Sequence, residues 1–407
     1  MKKTNLLLWV VCISFFTLRA QPLTLDSIIF IIEKNNPEIK KFTYKINGLD
    51  ANVKGAGNWD APLVGAGLWM VPYALTGNGS YMLSIQQMIP NPQKIKARQN
   101  YLSGIGSVQT ENKNYLKNQL IAEAKSLYYE WMVLKKKQII IGENEEIISL
   151  IIKEVELKYA YEQGKLNNVY KAKANLYQLK NAQLNLQNDI RQKAISLNAL
   201  MYRNKDFVFD IDTLYVIKNY TENMLDNSIL LTVRSDIKAI DKSIQLIKLN
   251  QNVQIKKKKP DFGIRYDNMF AIGNQMNQFN VMGMFTIPIV PWANREYKAN
   301  IIAGNFEIQA FEEEKKAIAN EAAKKIQSVI AQLKNKKLQL VLYEKNILPA
   351  LQNNYKLTLL AYKQNTEDLF IVLDALQTFK MGQLEYLNQL QDLLILQTDY
   401  EKELEIL

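Results

Sequence analysis

The chain has 407 residues, of which 48% are hydrophobic, with only 16 glycines and 10 prolines. It carries a formal net charge of +11, no histidine and a single cysteine. This inventory excludes an intrachain disulfide framework and histidine-based catalysis, and it favours long helices over a compact mixed domain.

Lys2 and Lys3 precede an apolar run from Leu6 to Phe16, and Leu18-Arg19-Ala20 ends in a small residue before Gln21. Residues 1–20 therefore read as a secretory signal peptide, too short to span a membrane. The one cysteine, Cys12, lies inside it; acylation there would want small residues where Val10 and Val11 stand. Removing Lys2, Lys3 and Arg19 lowers the charge from +11 to about +8. In an exported protein that basic balance points to lipid headgroups or an acidic partner, not to nucleic acid. No later stretch is apolar enough for a transmembrane helix.

From Leu25 to about Val53 the apolar positions recur at helical spacing, with Pro37 interrupting the helix or starting a second one. The texture then changes. Residues 62–73 and 80–89 predict two strands separated by a turn at Leu75-Thr76-Gly77-Asn78-Gly79. Each is near the length of a tilted membrane strand. In the second, Tyr81, Leu83, Ile85 and Ile89 alternate with Met82, Ser84, Gln86 and Met88, the pattern of one lipid face and one lumen face. About seventy residues of helical pattern follow from Gln93, some 105 Å of helix, to a tip at Gln163-Gly164-Lys165-Leu166. Helix resumes near Asn168 and runs to Met201. Residues 203–221 break the pattern with strand-like Phe207-Val208-Phe209 and Leu214-Tyr215-Val216-Ile217.

The plan then repeats. Asp236-Ile237-Lys238 matches Glu38-Ile39-Lys40, Lys259-Pro260 matches Ala61-Pro62, and Ile287-Pro288 matches Ile89-Pro90. Asn320-Glu321-Ala322 matches Ala122-Glu123-Ala124, and Ala361-Tyr362 matches Ala160-Tyr161. The chain divides into a first repeat (21–202), a linker (203–221) and a second repeat (222–407), with strands at 260–271 and 278–288 and a second tip at Gln364-Asn365-Thr366-Glu367. Gly164 and Asn365 occupy matching places, and both are residues that readily take the left-handed backbone of a tight turn. Four membrane-length strands cannot close a barrel, and open strand edges are not tolerated in lipid. Either the strands do not span a membrane or several chains share one barrel.

These features resemble the TolC-type outer-membrane efflux proteins over essentially all of the mature chain. The resemblance is carried by Leu23-Thr24-Leu25 through Asn36-Pro37-Glu38, the duplicated halves and the two Ile-Pro strand ends. Tyr161-Glu162-Gln163-Gly164 and Tyr362-Lys363-Gln364-Asn365, running on to Val372-Leu373-Asp374-Ala375, carry it further. Pro90-Asn91-Pro92-Gln93-Lys94 with Arg98 is more similar to the heavy-metal branch. Asn365 departs from the family's usual glycine. The resemblance implies a mainly α fold with a small β-barrel part: a homotrimer with a twelve-stranded outer-membrane barrel and a long helical periplasmic tunnel. It also implies an equatorial place for the linker 203–221, a periplasmic adaptor docking at the tips, and an inner-membrane pump of the RND type or an ABC exporter. Asp374 would sit where the tunnel narrows and form an acidic ring in a trimer. At an offset of 201 its counterpart is Lys173, and a Lys173–Asp374 contact would hold the tunnel shut. The implied function is passive conduction of heavy-metal cations or drugs. The alternatives are a type I protein-secretion duct and a non-pore periplasmic coiled-coil adaptor.

Lys256-Lys257-Lys258-Lys259, Lys94, Lys96, Arg98, Arg295 and Lys298 all flank strand ends, so a basic belt facing lipid phosphates competes with an ordinary solvated rim. Met70, Met82, Met88, Met269, Met276, Met282 and Met284 cluster in the strand regions, either as gap fillers or as thioether ligands. No phosphate-cradling loop, catalytic cluster, metal site or cofactor is expected, and the chain does not read as an enzyme.

Overall fold

The computed structural model describes residues 22–73, 77–220, 227–274 and 276–406. The expected signal peptide with Cys12, and Leu75 and Thr76 of the expected turn, lie outside the described residues.

Two short helices, α1 (Leu25–Asn35) and α2 (Pro37–Gly55), open the fold. Asn36 separates them. Its side chain accepts from the Glu38 amide at 2.9 Å and donates to the Leu200 carbonyl at 3.0 Å, while Pro37 takes the first helical position, where no amide is needed. Pro37 therefore starts a helix. The same device opens α3 (Pro92–Ala160): Asn91 accepts from the Gln93 amide, and Pro92 follows it. At 69 residues α3 is about 100 Å long. It turns into α4 (Leu166–Leu200).

The second half supplies α5 (Asn227–Val233), α6 (Ser235–Lys256), α7 (Pro291–Leu342), α8 (Leu348–Lys363) and α9 (Leu369–Glu403). One π-helical turn, Tyr343–Ile347, joins α7 to α8.

The strands β1 (Leu63–Trp69), β2 (Gly79–Ile89), β3 (Phe262–Ile272) and β4 (Gln278–Phe285) form one antiparallel sheet in the order β1-β2-β3-β4. The two strand pairs are thus fused through β2–β3, from Gly79↔Ile272 to Ile89↔Phe262. β1 stops before Tyr73 because Met70 turns to a left-handed φ of 52°. Register sorts the sheet into two faces. Val64, Leu68, Leu83, Ile85, Ile264 and Val281 stand on the outer face and are exposed. Gly263, Asp267 and Met269 lie on the inner face and are buried. Burying a polar group is tolerated only when it is paired, and Asp267 is held by Arg265 at 2.8 Å on the same face.

The helices enclose two separate apolar clusters. One surrounds the middle of the molecule, with Ile28, Ile32, Trp131, Met132, Leu197 and Leu393. The other lies toward the hairpin tips, with Ile148, Val155, Val169, Ala172, Leu369 and Val372. Residues 203–220 wrap the first cluster. Their expected strands run without a sheet of their own: Ile211 makes a single parallel bridge to Leu23, and Phe209 packs edge-on against Trp131 at 4.9 Å. The aromatic residues that read as strand formers serve here as plugs for the helical core. Charged groups pin the rest of the wrap. Lys218 and Tyr220 reach the buried carboxylate of Glu401, which also pairs with Lys125. Arg234 is clamped between Asp236 and Glu403.

Candidate functional site: the paired hairpin tips

Both helical hairpins close in the same way. At the end of α3 the Gln163 amide donates to the Lys158 carbonyl and the Glu162 amide to that of Tyr159. At the end of α8 the Thr366 amide donates to the Ala361 carbonyl and the Asn365 amide to that of Tyr362. This paired pattern is a Schellman closure, which needs one left-handed residue. In the second tip that residue is Asn365, with φ 57°. In the first it is Glu162, with φ 60°, and not Gly164. Gly164 matters for a different reason: a Cβ there would sit in tight contact, 3.2 Å from Lys158 Cβ and from the Tyr159 amide nitrogen. It lets the departing chain press against the end of α3.

The closures are thus offset by 203 residues, not 201. Leu166 begins α4 as Leu369 begins α9, and buried Val169 and Ala172 correspond to buried Val372 and Ala375. The counterpart of Asp374 is therefore Lys171, not Lys173. Lys173 is turned to Glu156 of α3 at 2.9 Å, whose hydrogen bond raises its pKa. Asp374 is exposed, and within the chain it does not pair with Lys173. Lys171 instead sits over the Phe370 ring at 3.4 Å.

Lys158 is the residue that the sequence did not single out. Its ammonium donates to Asn365 Oδ1 at 2.8 Å and lies 4.1 Å from the centre of the Tyr362 ring. It therefore ties the first hairpin to the second at the tips. Burial raises the Tyr362 hydroxyl's pKa, with Glu154 and Asp368 adding to it, so the ring stays a neutral π face for the cation. A lysine on a helix of alternating charge carries no local signal of this; only the meeting of two hairpins creates it. The second tip is the better capped, with Asp368 accepting from the Phe370 amide at 2.8 Å, whereas Lys165 at the matching place gives no side-chain cap. Gln163, Lys165, Leu166, Gln364, Asn365 and Thr366 face solvent, and Gly164 and Glu367 are half-buried.

At the opposite end, the basic residues flanking the strands are partly spoken for. Lys94 pairs with Asp261 at 2.5 Å, and Lys258 lies over Tyr297 at 5.2 Å. Among the described residues no three His, Cys, Asp or Glu side chains converge as a metal site, and no helix is long and apolar enough to cross a membrane.

No family model matches the sequence, and no curated protein matches it. Solved structures do match in fold. The outer membrane protein VceC of Vibrio cholerae is 14% identical with a TM-score of 0.73, over 93% of this chain and 95% of that one. The outer membrane channel MtrE of Neisseria gonorrhoeae, in its open state, is 15% identical with a TM-score of 0.73, over 93% and 88%. The CmeC outer membrane channel of Campylobacter jejuni is 14% identical with a TM-score of 0.71, over 93% and 85%. The chain has the fold of these outer-membrane channels, mostly helical with a small antiparallel sheet.

Proposed function

We propose that this chain is one subunit of a homotrimeric exit duct in the outer membrane of a tripartite efflux system, a member of the TolC-type proteins. One observation carries the reading: a four-stranded sheet with an apolar outer face and unpaired β1 and β4 edges stands on helical hairpins about 100 Å long. Lipid does not tolerate open edges, and three copies would join them into twelve strands. The basic belt would then meet lipid headgroups. The likeness to outer-membrane channels speaks against a non-pore adaptor.

The hairpin tips, through Gln163, Gly164, Lys165, Leu166, Gln364, Asn365, Thr366 and Glu367, are the docking surface for a periplasmic adaptor. The adaptor links the duct to an inner-membrane pump of the RND type or to an ABC exporter. Conduction is passive, with no catalysis and no cofactor; heavy-metal cations or drugs are chosen by the pump. Three copies of Asp374 form an acidic ring that prefers cations.

The reading is tested by the mass of the purified protein in detergent and by its conductance in a planar bilayer. A monomer without conductance would refute it. Gly164→Val, which forces a Cβ against the end of α3, is expected to leave the trimer intact and abolish efflux in cells. Asp374→Ala is expected to lower the cation preference of the single-channel current; an unchanged reversal potential in a salt gradient would remove the acidic ring.

A further inference from the structure

Five methionines lie within the strands: Met82, Met88, Met269, Met282 and Met284. The register puts all five on the inner face. The outer face is apolar throughout most of its length, so a gap-filling methionine would be at home there, yet it has none. The inner face is otherwise mostly polar, with Ser84, Gln86, Arg265, Asp267, Gln278 and Asn280 beside Leu63 and Trp69. Thioethers are thus concentrated in polar surroundings, which apolar packing does not call for.

Four of the five come in pairs, and Met282 stands opposite Arg265. Met82 stands directly opposite Met269 on the neighbouring strand, where same-face Cβ atoms are about 4.5–5.5 Å apart. Met88 and Met284 flank Gly263 in one row across three strands. Both side chains fold over that glycine: a Cβ there would collide with Met88 Sδ and lie 3.3 Å from Met284 Cε. The missing side chain leaves room for both over Gly263.

A thioether is a soft, neutral donor that favours soft cations such as copper(I) over hard ones. The stronger nitrogen and thiolate donors are absent from this face. The chain has no histidine, its only cysteine is Cys12, and Asp267 is neutralised by Arg265. We propose that the inner face of the sheet binds soft monovalent cations, copper(I) or silver(I), at two thioether pairs, Met82–Met269 and Met88–Met284. That these ions lie on the conduction path rests on the exit-duct reading; their binding to the protein does not.

The test is silver uptake by the purified full-length protein in nitrate buffer, measured by equilibrium dialysis. The wild type is expected to hold two silver ions per chain. Met82→Leu/Met269→Leu and Met88→Leu/Met284→Leu should each hold one, and the quadruple variant none. Leucine keeps the volume, so folding is expected to survive. Met70→Leu/Met276→Leu should retain both ions, and zinc or calcium should not be taken up. Equal silver uptake by the quadruple variant, or loss of uptake in Met70→Leu/Met276→Leu, overturns the proposal. If the quadruple variant fails to fold, the two pair variants decide: both retaining the full complement overturns it. Potassium nitrate conductance, recorded alongside, separates the two readings. A wild type that binds silver without conducting defeats the duct and leaves the metal sites standing.

Discussion

Glu401, near the end of α9, is 4% exposed, and three donors converge on its carboxylate. Lys125 and the Tyr220 hydroxyl approach at 2.8 Å, and Lys218 closes the third side. Burial alone would raise its pKa, but the hydrogen bonds from Lys125, Lys218 and Tyr220 outweigh burial and lower it. A depressed carboxylate stabilises the fold fully above its unfolded pKa of about 4.3 and loses that contribution as pH falls through the folded value. Acid should therefore release residues 213–220 from the helices first. Glu401→Ala strands the buried ammonium of Lys125, and removing one partner of such a pair costs about 3–5 kcal/mol. Thermal unfolding at pH 7 followed by near-UV dichroism should show that loss, and Lys125→Met/Glu401→Gln should recover most of it. A melt unchanged in Glu401→Ala would mean that the network contributes nothing. None of this was legible beforehand: Lys125, Lys218 and Glu401 are far apart in sequence, and each reads alone as a solvated charge.

At the scale of elements, the π-helical turn at Tyr343–Ile347 has a cause visible in the residue spacing. Ile326, Leu333 and Leu340 face the core of the second hairpin seven residues apart, and so do Leu348, Tyr355 and Tyr362. Between Leu340 and Leu348 the step is eight. One extra residue would rotate the apolar seam by about 100° in a 3.6-residue helix, and a π turn absorbs it. Gly382 on α9 marks the same level, where a Cβ would press on Leu351 and Leu348. Deleting exposed Lys345 should restore a continuous seven-residue repeat and leave the melting temperature equal or higher. Deleting Asn353 instead keeps the eight-residue step and shortens the Leu348–Tyr355 step to six, which should loosen the tip, seen as faster amide exchange around Leu369 and Val372. Equal behaviour of the two deletions would refute this account. Strand parity was legible because a period of two sorts faces without knowing partners. The tip offset was not, because matching Tyr-x-Gln at 201 ignores where each helix ends. The left-handed place falls on Glu162 because α3 stops at Ala160, two residues earlier relative to its Gly than α8 does to its Asn.

Among the described residues, two uncovered surfaces bear on assembly. One is the pair of sheet edges and the apolar outer face. The other is a stripe on α4, where Tyr170, Tyr177 and Leu184 recur every seven residues and are 65%, 65% and 64% exposed. A seven-residue apolar stripe is the seam of a coiled coil, and here no helix of the same chain covers it. Both surfaces are of the kind that further copies would cover, the edges by strand pairing and the stripe by helix packing. Lysine at Tyr177 and Leu184 places two charges in the middle of that seam without touching the buried Val169, Ala172 and Leu179 on the opposite side of α4. If the chain forms the proposed trimer, Tyr177→Lys/Leu184→Lys should keep its helical dichroism and lose the three-chain mass in detergent, or retain it with a raised conductance. A variant with wild-type mass and wild-type conductance would show that the stripe faces solvent in the assembled protein. The helices would then be held together by the barrel alone.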